Sequence, residues 1–176
     1  MAAGLAPRFV FFWGHTRAPG EAVGAEVLSQ WFEAPFEVEG IRYPTAEHYM
    51  MAEKARCFGD HEVREQVLSA PDPARAKALG RQVRGFVGPT WDAARFEVVV
   101  AGNRAKFGQN PRLGAFLDHT GDAVLVEASP VDLIWGIGHA AHEPDAARPE
   151  AWRGLNLLGF ALMQVRHERA SQSDLR

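Results

Sequence analysis

The sequence predicts an α+β fold, predominantly helical, with a few short strands, in one domain spanning residues 1–176. Three observations point there. Runs of good helix formers bounded by capping residues fill most of the chain. The β-branched and aromatic runs are short and few: RFVFFWG, the alternating segment before Tyr43, and AVLVE. No internal repeat, low-complexity run or interior linker divides the 176 residues, a normal length for one core.

Residues 1–7 read as a loose tail. Arg8 to Gly14 reads as a strand, and His15 to Glu26, rich in Gly, Ala and Pro, as a loop. Leu28 to Phe32 is apolar and aromatic but too short to type. Pro35 to Tyr43 alternates, and Glu39-Gly40 suggests a hairpin turn. Pro44 then breaks the extended run, because its ring fixes φ and it carries no N–H. Thr45 is a natural N-cap, helix formers follow from Ala46, and Gly59 is a natural stop. A second helix is expected from Asp60 to Leu68 and a third from Ala74 to Val83. Thr90 is expected to cap a long helix from Trp91 to Phe107. After the Asn110-Pro111 turn, Arg112 to Leu117 forms a short helix and Ala123 to Glu127 a strand. A loop, ASPVDLIWGIG, runs from Ala128 to Gly138. The last helix is expected from Glu150 to about Arg169, with Leu155, Leu158, Leu162 and Val165 as its buried stripe.

Composition excludes several function classes. Net charge is -3, which argues against a broad basic face for duplex DNA but leaves room for a local pocket for one phosphorylated molecule. One cysteine, Cys57, excludes an internal disulfide framework and is expected to be a small core residue. MAAGLAPR lacks the apolar core of a signal peptide, and no apolar run is long enough to span a bilayer. The expectation is a cytoplasmic protein without membrane contact.

The densest chemistry lies in IRYPTAEHYMMAEKARCF, residues 41–58. Glu47 and Lys54 are seven residues apart, so on a helix they point almost the same way, roughly 10 Å apart along the axis, with Met51 between them. Surface ion pairs favour spacings of three or four. A spacing of seven instead lets two heads approach a ligand from two ends. A solvated Glu and a snorkelling Lys flanking a packed Met is the plainer reading of this segment alone. The second informative stretch is Glu127 to Gly138. Glu127 and Asp132 could supply an acid and a base, Trp135 a flat wall for a base or sugar, and Gly136 and Gly138 close backbone approach. The plain alternative has Asp132 bonded to loop amides, Trp135 in the core and the glycines in turns. Asn103, Arg104 and Lys106 on one helix could meet a phosphate, or simply form a solvated face. Trp13, Trp31 and Trp91 could line a pocket or fill the core. His139 and His142 stand three apart with no third ligand evident, so no metal and no cofactor are expected.

Four ordered motifs, YPTAEHYMMAEKARCFGD, NRAKFGQNP, TGDAVLVEASPVDLIWGIG and WRGLNLLGFALMQVR, resemble those of the YbiA-like, or NADAR, family. The likeness covers about Phe9 to Arg166. It implies an N-glycosidase that splits the bond between an amino-type nitrogen and ribose C1. The substrates it suggests are early riboflavin-pathway pyrimidine N-ribosides with a 5′-phosphate, giving ribose 5-phosphate and free base. Hydrolysis of ADP-ribosyl-guanine in nucleic acid is the alternative substrate, and a non-catalytic nucleotide-sugar-binding module the alternative class. The family suggests a Schiff-base lysine; Lys54 is the choice and Lys106 the runner-up. Under this resemblance Glu47 and Glu127 join Lys54 as catalytic candidates. Asp132, Trp135, Gly136, Trp91, Asn103 and Lys106 become substrate-binding candidates.

Overall fold

The computed structural model describes residues 7–17, 20 and 22–173. Residues 1–6, most of the expected N-terminal tail, and residues 18, 19 and 21 of the expected loop lie outside them. The fold is α+β. Packing divides the chain into two compact units, one formed by Gln30–Gly114 and the other by the segments Met1–Ser29 and Ala115–Arg176.

In the Gln30–Gly114 unit, β1 having been assigned to Phe9–Phe12 of the other unit, β2 (Phe36–Val38) and β3 (Ile41–Tyr43) form the expected antiparallel hairpin, pairing Phe36 with Tyr43. Both turn residues have positive φ, Glu39 at 52° and Gly40 at 78°. That is the turn whose twist matches paired strands. The hairpin leads into α1 (Ala46–Cys57), and Gly59 ends it as expected. Gly59 N–H donates to Arg56 C=O and Asp60 N–H to Ala55 C=O, with Gly59 at φ 68°. This satisfies two carbonyls that the helix end leaves open.

Three helices surround α1: α2 (His61–Leu68), α3 (Pro73–Gly80) and α4 (Gly88–Gln109). Asp60 and Asp72 cap α2 and α3 by accepting from Val63 N–H and Arg75 N–H. α4 starts at Gly88, not behind a Thr90 cap, because Pro89 fits the first helical turn, where its missing N–H costs nothing. Close approach to α1 depends on two glycines. A Cβ on Gly80 would collide with the Met51 side chain, and one on Gly102 would lie 2.6 Å from the Tyr49 ring. Tyr49 is held edge-on by Tyr43 at a centroid distance of 5.0 Å. Cys57 corrects the sequence expectation: it is exposed at the last position of α1, where the helix leaves its packed face. α5 (Pro111–His119) follows, the division between units falling after Gly114.

In the other unit β1 pairs in parallel with β4 (Val124–Glu127), placing Phe12 beside Glu127. α6 (Leu157–Ser173) packs against β4 and buries Leu158, Leu162 and Val165. The expectation of a helix from Glu150 fails. Residues 149–151 form a single 3-10 turn, and the next residues run back along the 133–137 loop. Arg153 N–H and Gly154 N–H donate to Ile137 C=O, and Leu155 N–H to Leu133 C=O. These tertiary backbone bonds outcompete helix formation, and they leave Leu155 exposed instead of in the stripe.

Candidate functional site

Local sequence positions the α1 residues. Thr45 accepts from His48 N–H at 3.3 Å, and its hydroxyl lies 2.8 Å from His48 Nδ1. His48 Nε2 lies 3.1 Å from Ala70 C=O. A carbonyl only accepts, so Nε2 carries the proton and Nδ1 accepts from Thr45. Burial holds His48 below its ordinary pKa and keeps it neutral. The start of α1 is therefore rigid, and Glu47 projects from it at 3% exposure, with Met51 at 7% one turn on.

Lys54 completes the stripe and is only half-buried. Burial lowers its pKa, the Arg81 charge pushes the same way, and Glu47 opposes both. Its Nζ sits 4.5 Å from the centroid of the Phe86 ring. That ring packs edge-on against Phe58 at 5.3 Å. The segment carrying Phe86 is anchored next door: Arg84 donates to the buried Asp60 carboxylate from its backbone N, Nε and Nη2 at 2.8, 3.0 and 2.6 Å. Those bonds hold the Asp60 carboxyl well below the usual carboxylate range.

On α4, Asn103 and Lys106 are fully buried and Trp91 is 7% exposed. Asn103 Nδ2 donates to Gln30 Oε1 at 2.8 Å and to Val99 C=O at 2.9 Å. Gln30 C=O accepts from Glu47 N–H at 3.0 Å, so Asn103, Gln30 and the Glu47 backbone form one connected network. Burial alone brings the Lys106 amine down to about 7. The solvated-face reading of α4 holds for Arg104, which is exposed, and fails for Lys106.

In the other unit, Glu127 sits half-buried at the end of β4. Its N–H donates to Asn156 Oδ1 at 3.0 Å and its C=O accepts from Ile137 N–H at 3.0 Å. Asp132 Oδ1 accepts from Ile134 N–H and Trp135 N–H at 2.9 and 2.8 Å, while Ser129 Oγ accepts from Asp132 N–H at 3.1 Å. Asp132 is thus built into the loop, and what it orients directly is the backbone carrying Trp135, a half-buried ring. Gly136 serves packing: a Cβ there would lie 2.9 Å from Glu127 O and 3.0 Å from Asp132 O.

The NADAR domain family model matches residues 11–169. The chain belongs to the NADAR family. It is 41% identical over 166 residues to an N-glycosidase of Acanthamoeba polyphaga mimivirus, covering 92% of this chain and 96% of that protein. It is 33% identical over 136 residues to the N-glycosidase YbiA of Escherichia coli (strain K12), covering 77% and 76%. It is 36% identical to a riboflavin biosynthesis protein of Vibrio vulnificus over 80% of this chain and 35% of that one. The NMR structure of the Escherichia coli protein YbiA superposes with a TM-score of 0.76 at 28% identity, covering 96% of this chain and 89% of that one.

For this NADAR chain, sequence reasoning missed Arg81, Phe86 and Gln30, the side chains that set the charge, wall and backbone of the α1 site. Nothing local marked them, since each meets α1 or α4 only through folding. Among the described residues no group of three or more His, Cys, Asp or Glu is arranged to hold a metal ion. No helix among them is long and apolar enough to cross a membrane.

Proposed function

We propose that the protein is an N-glycosidase acting on pyrimidine N-ribosides that carry a 5′-phosphate, releasing ribose 5-phosphate and free base. A hydrolase of N-glycosyl bonds is the class that its family membership gives. The finer substrate is supported by the relative named for riboflavin biosynthesis and by the net charge of -3, which suits a metabolite better than a nucleic acid. The observation that carries the reading is the α1 stripe: an accessible amine held below its ordinary pKa, on the same helix face as a carboxylate fixed by a rigid first turn.

In the reaction, Glu47 acts as the acid and protonates the leaving nitrogen. The neutral Lys54 amine forms a bond to ribose C1 as the C1–N bond to the base breaks, and the base leaves with its proton. Nζ then gives up a proton, the C1–O bond of the sugar ring breaks with a proton going to that oxygen, and the Schiff base forms; water adds at its C1, the C–Nζ bond breaks, and ribose 5-phosphate departs with the amine restored. Covalent catalysis replaces one hard displacement with easier steps. Lys54 is assigned the nucleophile over Lys106 because a sugar carbon must reach the amine, and Lys106 is 0% exposed. Asn103 supports the start of α1 through Gln30, whose backbone C=O accepts from Glu47 N–H.

Borohydride added during turnover should trap the sugar on the peptide containing Lys54. Lys54→Arg should fold and bind substrate yet release no base, since guanidinium stays protonated. Trapping only at Lys106, or an active Lys54→Arg enzyme, defeats the lysine assignment. Turnover of ADP-ribosylated DNA with none of the riboside phosphate defeats the substrate.

A further inference from the structure

The Lys54 amine lies 4.5 Å from the centroid of the Phe86 ring, within the range at which a ring face attracts a cation. The ring is held in that place. Phe58 packs edge-on against it at 5.3 Å. Two residues earlier, Arg84 is bonded to the Asp60 carboxylate through its backbone N, Nε and Nη2. Between them Gly85 turns the chain at φ 71°, a conformation that glycine adopts without steric cost. Phe86 is nevertheless 48% exposed, and Val87 beside it 50%, so burial explains only part of the ring's position.

A positive charge returns to Nζ along the reaction path. The resting ammonium carries it. The neutral amine that attacks does not. Once its lone pair has bonded to ribose C1 and the C1–N bond to the base has broken, Nζ carries the charge in the adduct. After that adduct loses a proton and the sugar ring opens, Nζ carries it again in the protonated Schiff base. We infer that the Phe86 ring stabilises the positive charge that develops on Nζ as ribose C1 bonds to it, and so takes a direct part in catalysis. The inference rests on the N-glycosidase reading with Lys54 as nucleophile.

The effect has a definite pH signature. The ring attracts the ammonium and the charged adduct alike, so a reaction that starts from the ammonium gains nothing from it. A reaction that starts from the neutral amine gains the full attraction. The other charges that bear on Lys54 are Arg81, from the end of α3, and Glu47, from α1 itself. They act differently. Glu47 becomes a carboxylate as it protonates the leaving nitrogen, so Arg81 attracts one new charge while it repels the other. The ring lies against Nζ, and no such cancellation applies to it.

Phe86→Leu keeps an apolar side chain and removes the π face, whereas Phe86→Tyr keeps the face. Base release from the riboside phosphate is measured as kcat/KM across pH, and NMR of the Lys54 Cε follows the amine's titration in the ligand-free protein. The ratio of wild type to Phe86→Leu in kcat/KM should be about one at pH below that titration and rise to about two- to thirtyfold above it. In the ligand-free Phe86→Leu variant the acid dissociation constant of the amine should increase by the same factor. Phe86→Tyr should follow wild type in both measurements. A ratio that does not change with pH, at whatever size, reports packing alone and overturns the inference, as does an unmoved Lys54 titration in Phe86→Leu. Base release with a flat ratio removes the ring's role and leaves the N-glycosidase. A wild-type protein that releases no base removes the N-glycosidase reading, and the ring's part in catalysis with it.

Discussion

Burial pulls two lysines of the same unit below the ordinary value of an amine, with different consequences. Lys54 remains accessible, and Arg81 adds to the depression while Glu47 resists it. Arg81→Gln therefore raises the Lys54 pKa. The acid limb of kcat/KM for base release should move to higher pH, with a severalfold loss near pH 7 that recovers as pH rises; an unmoved limb separates Arg81 from the amine. Lys106 has no exposure and titrates at about 7. Its folded pKa lies below the unfolded value of about 10.4. Between the two the unfolded chain holds the extra proton, so stability rises with pH across that window and its burial penalty is complete below it. Lys106→Met should remove this slope: the variant should gain up to about 2 kcal/mol more at pH 7 than at pH 9. Urea unfolding at the two pH values measures it, and equal effects at both would mean that the buried amine is not the titrating group.

At the scale of elements, one residue ties the end of β4 to the start of α6. Asn156 is fully buried at φ 51°, accepts from Glu127 N–H and donates from Nδ2 to Leu125 C=O at 2.9 Å. Asn tolerates the left-handed region better than other side-chain-bearing residues. Gly159 belongs to the same joint, since a Cβ there would run into Leu125 O and the Asn156 amide. Asn156→Ala keeps the unfavourable φ and strands two buried backbone groups, a cost of roughly 2–4 kcal/mol. The urea midpoint should fall with the slope unchanged. Asn156→Asp keeps the acceptor for Glu127 N–H and loses the donor, so it too should destabilise. An Ala variant as stable as the parent would mean that the joint contributes nothing.

For the whole molecule, the relevant quantity is charge. The net charge is -3, and under the proposed function a single phosphorylated metabolite would make few phosphate contacts. The protein's kcat/KM for the riboside phosphate should fall by less than about tenfold between 50 and 200 mM salt, whereas six to ten phosphate contacts would cost about a thousandfold or more. A steep salt dependence would favour a nucleic-acid substrate. The salt dependence of substrate binding to Lys54→Arg, which binds but releases no base, separates binding from chemistry.

Local chemistry made much of this protein legible from sequence. Thr45, Asp60 and Gly59 act at the ends of α1 and α2 through the backbone groups next to them, and Glu39-Gly40 turns its hairpin through its own φ values. Glu47 and Lys54 share a stripe because 3.6 residues per turn places them there. Long-range packing was not legible. The stretch before Asn156 looked helical but bonds to the 133–137 loop, whose carbonyls lie far from it in sequence. The same holds for Lys106, a surface cation by its neighbours in the chain and a fully buried amine in the fold, and for Trp13, which could as well have filled a core and instead borders a cavity. Caps and turns depend on bonds that close within a few residues, whereas burial and the choice between rival backbone partners depend on which distant segments arrive, and only the tertiary structure decides that.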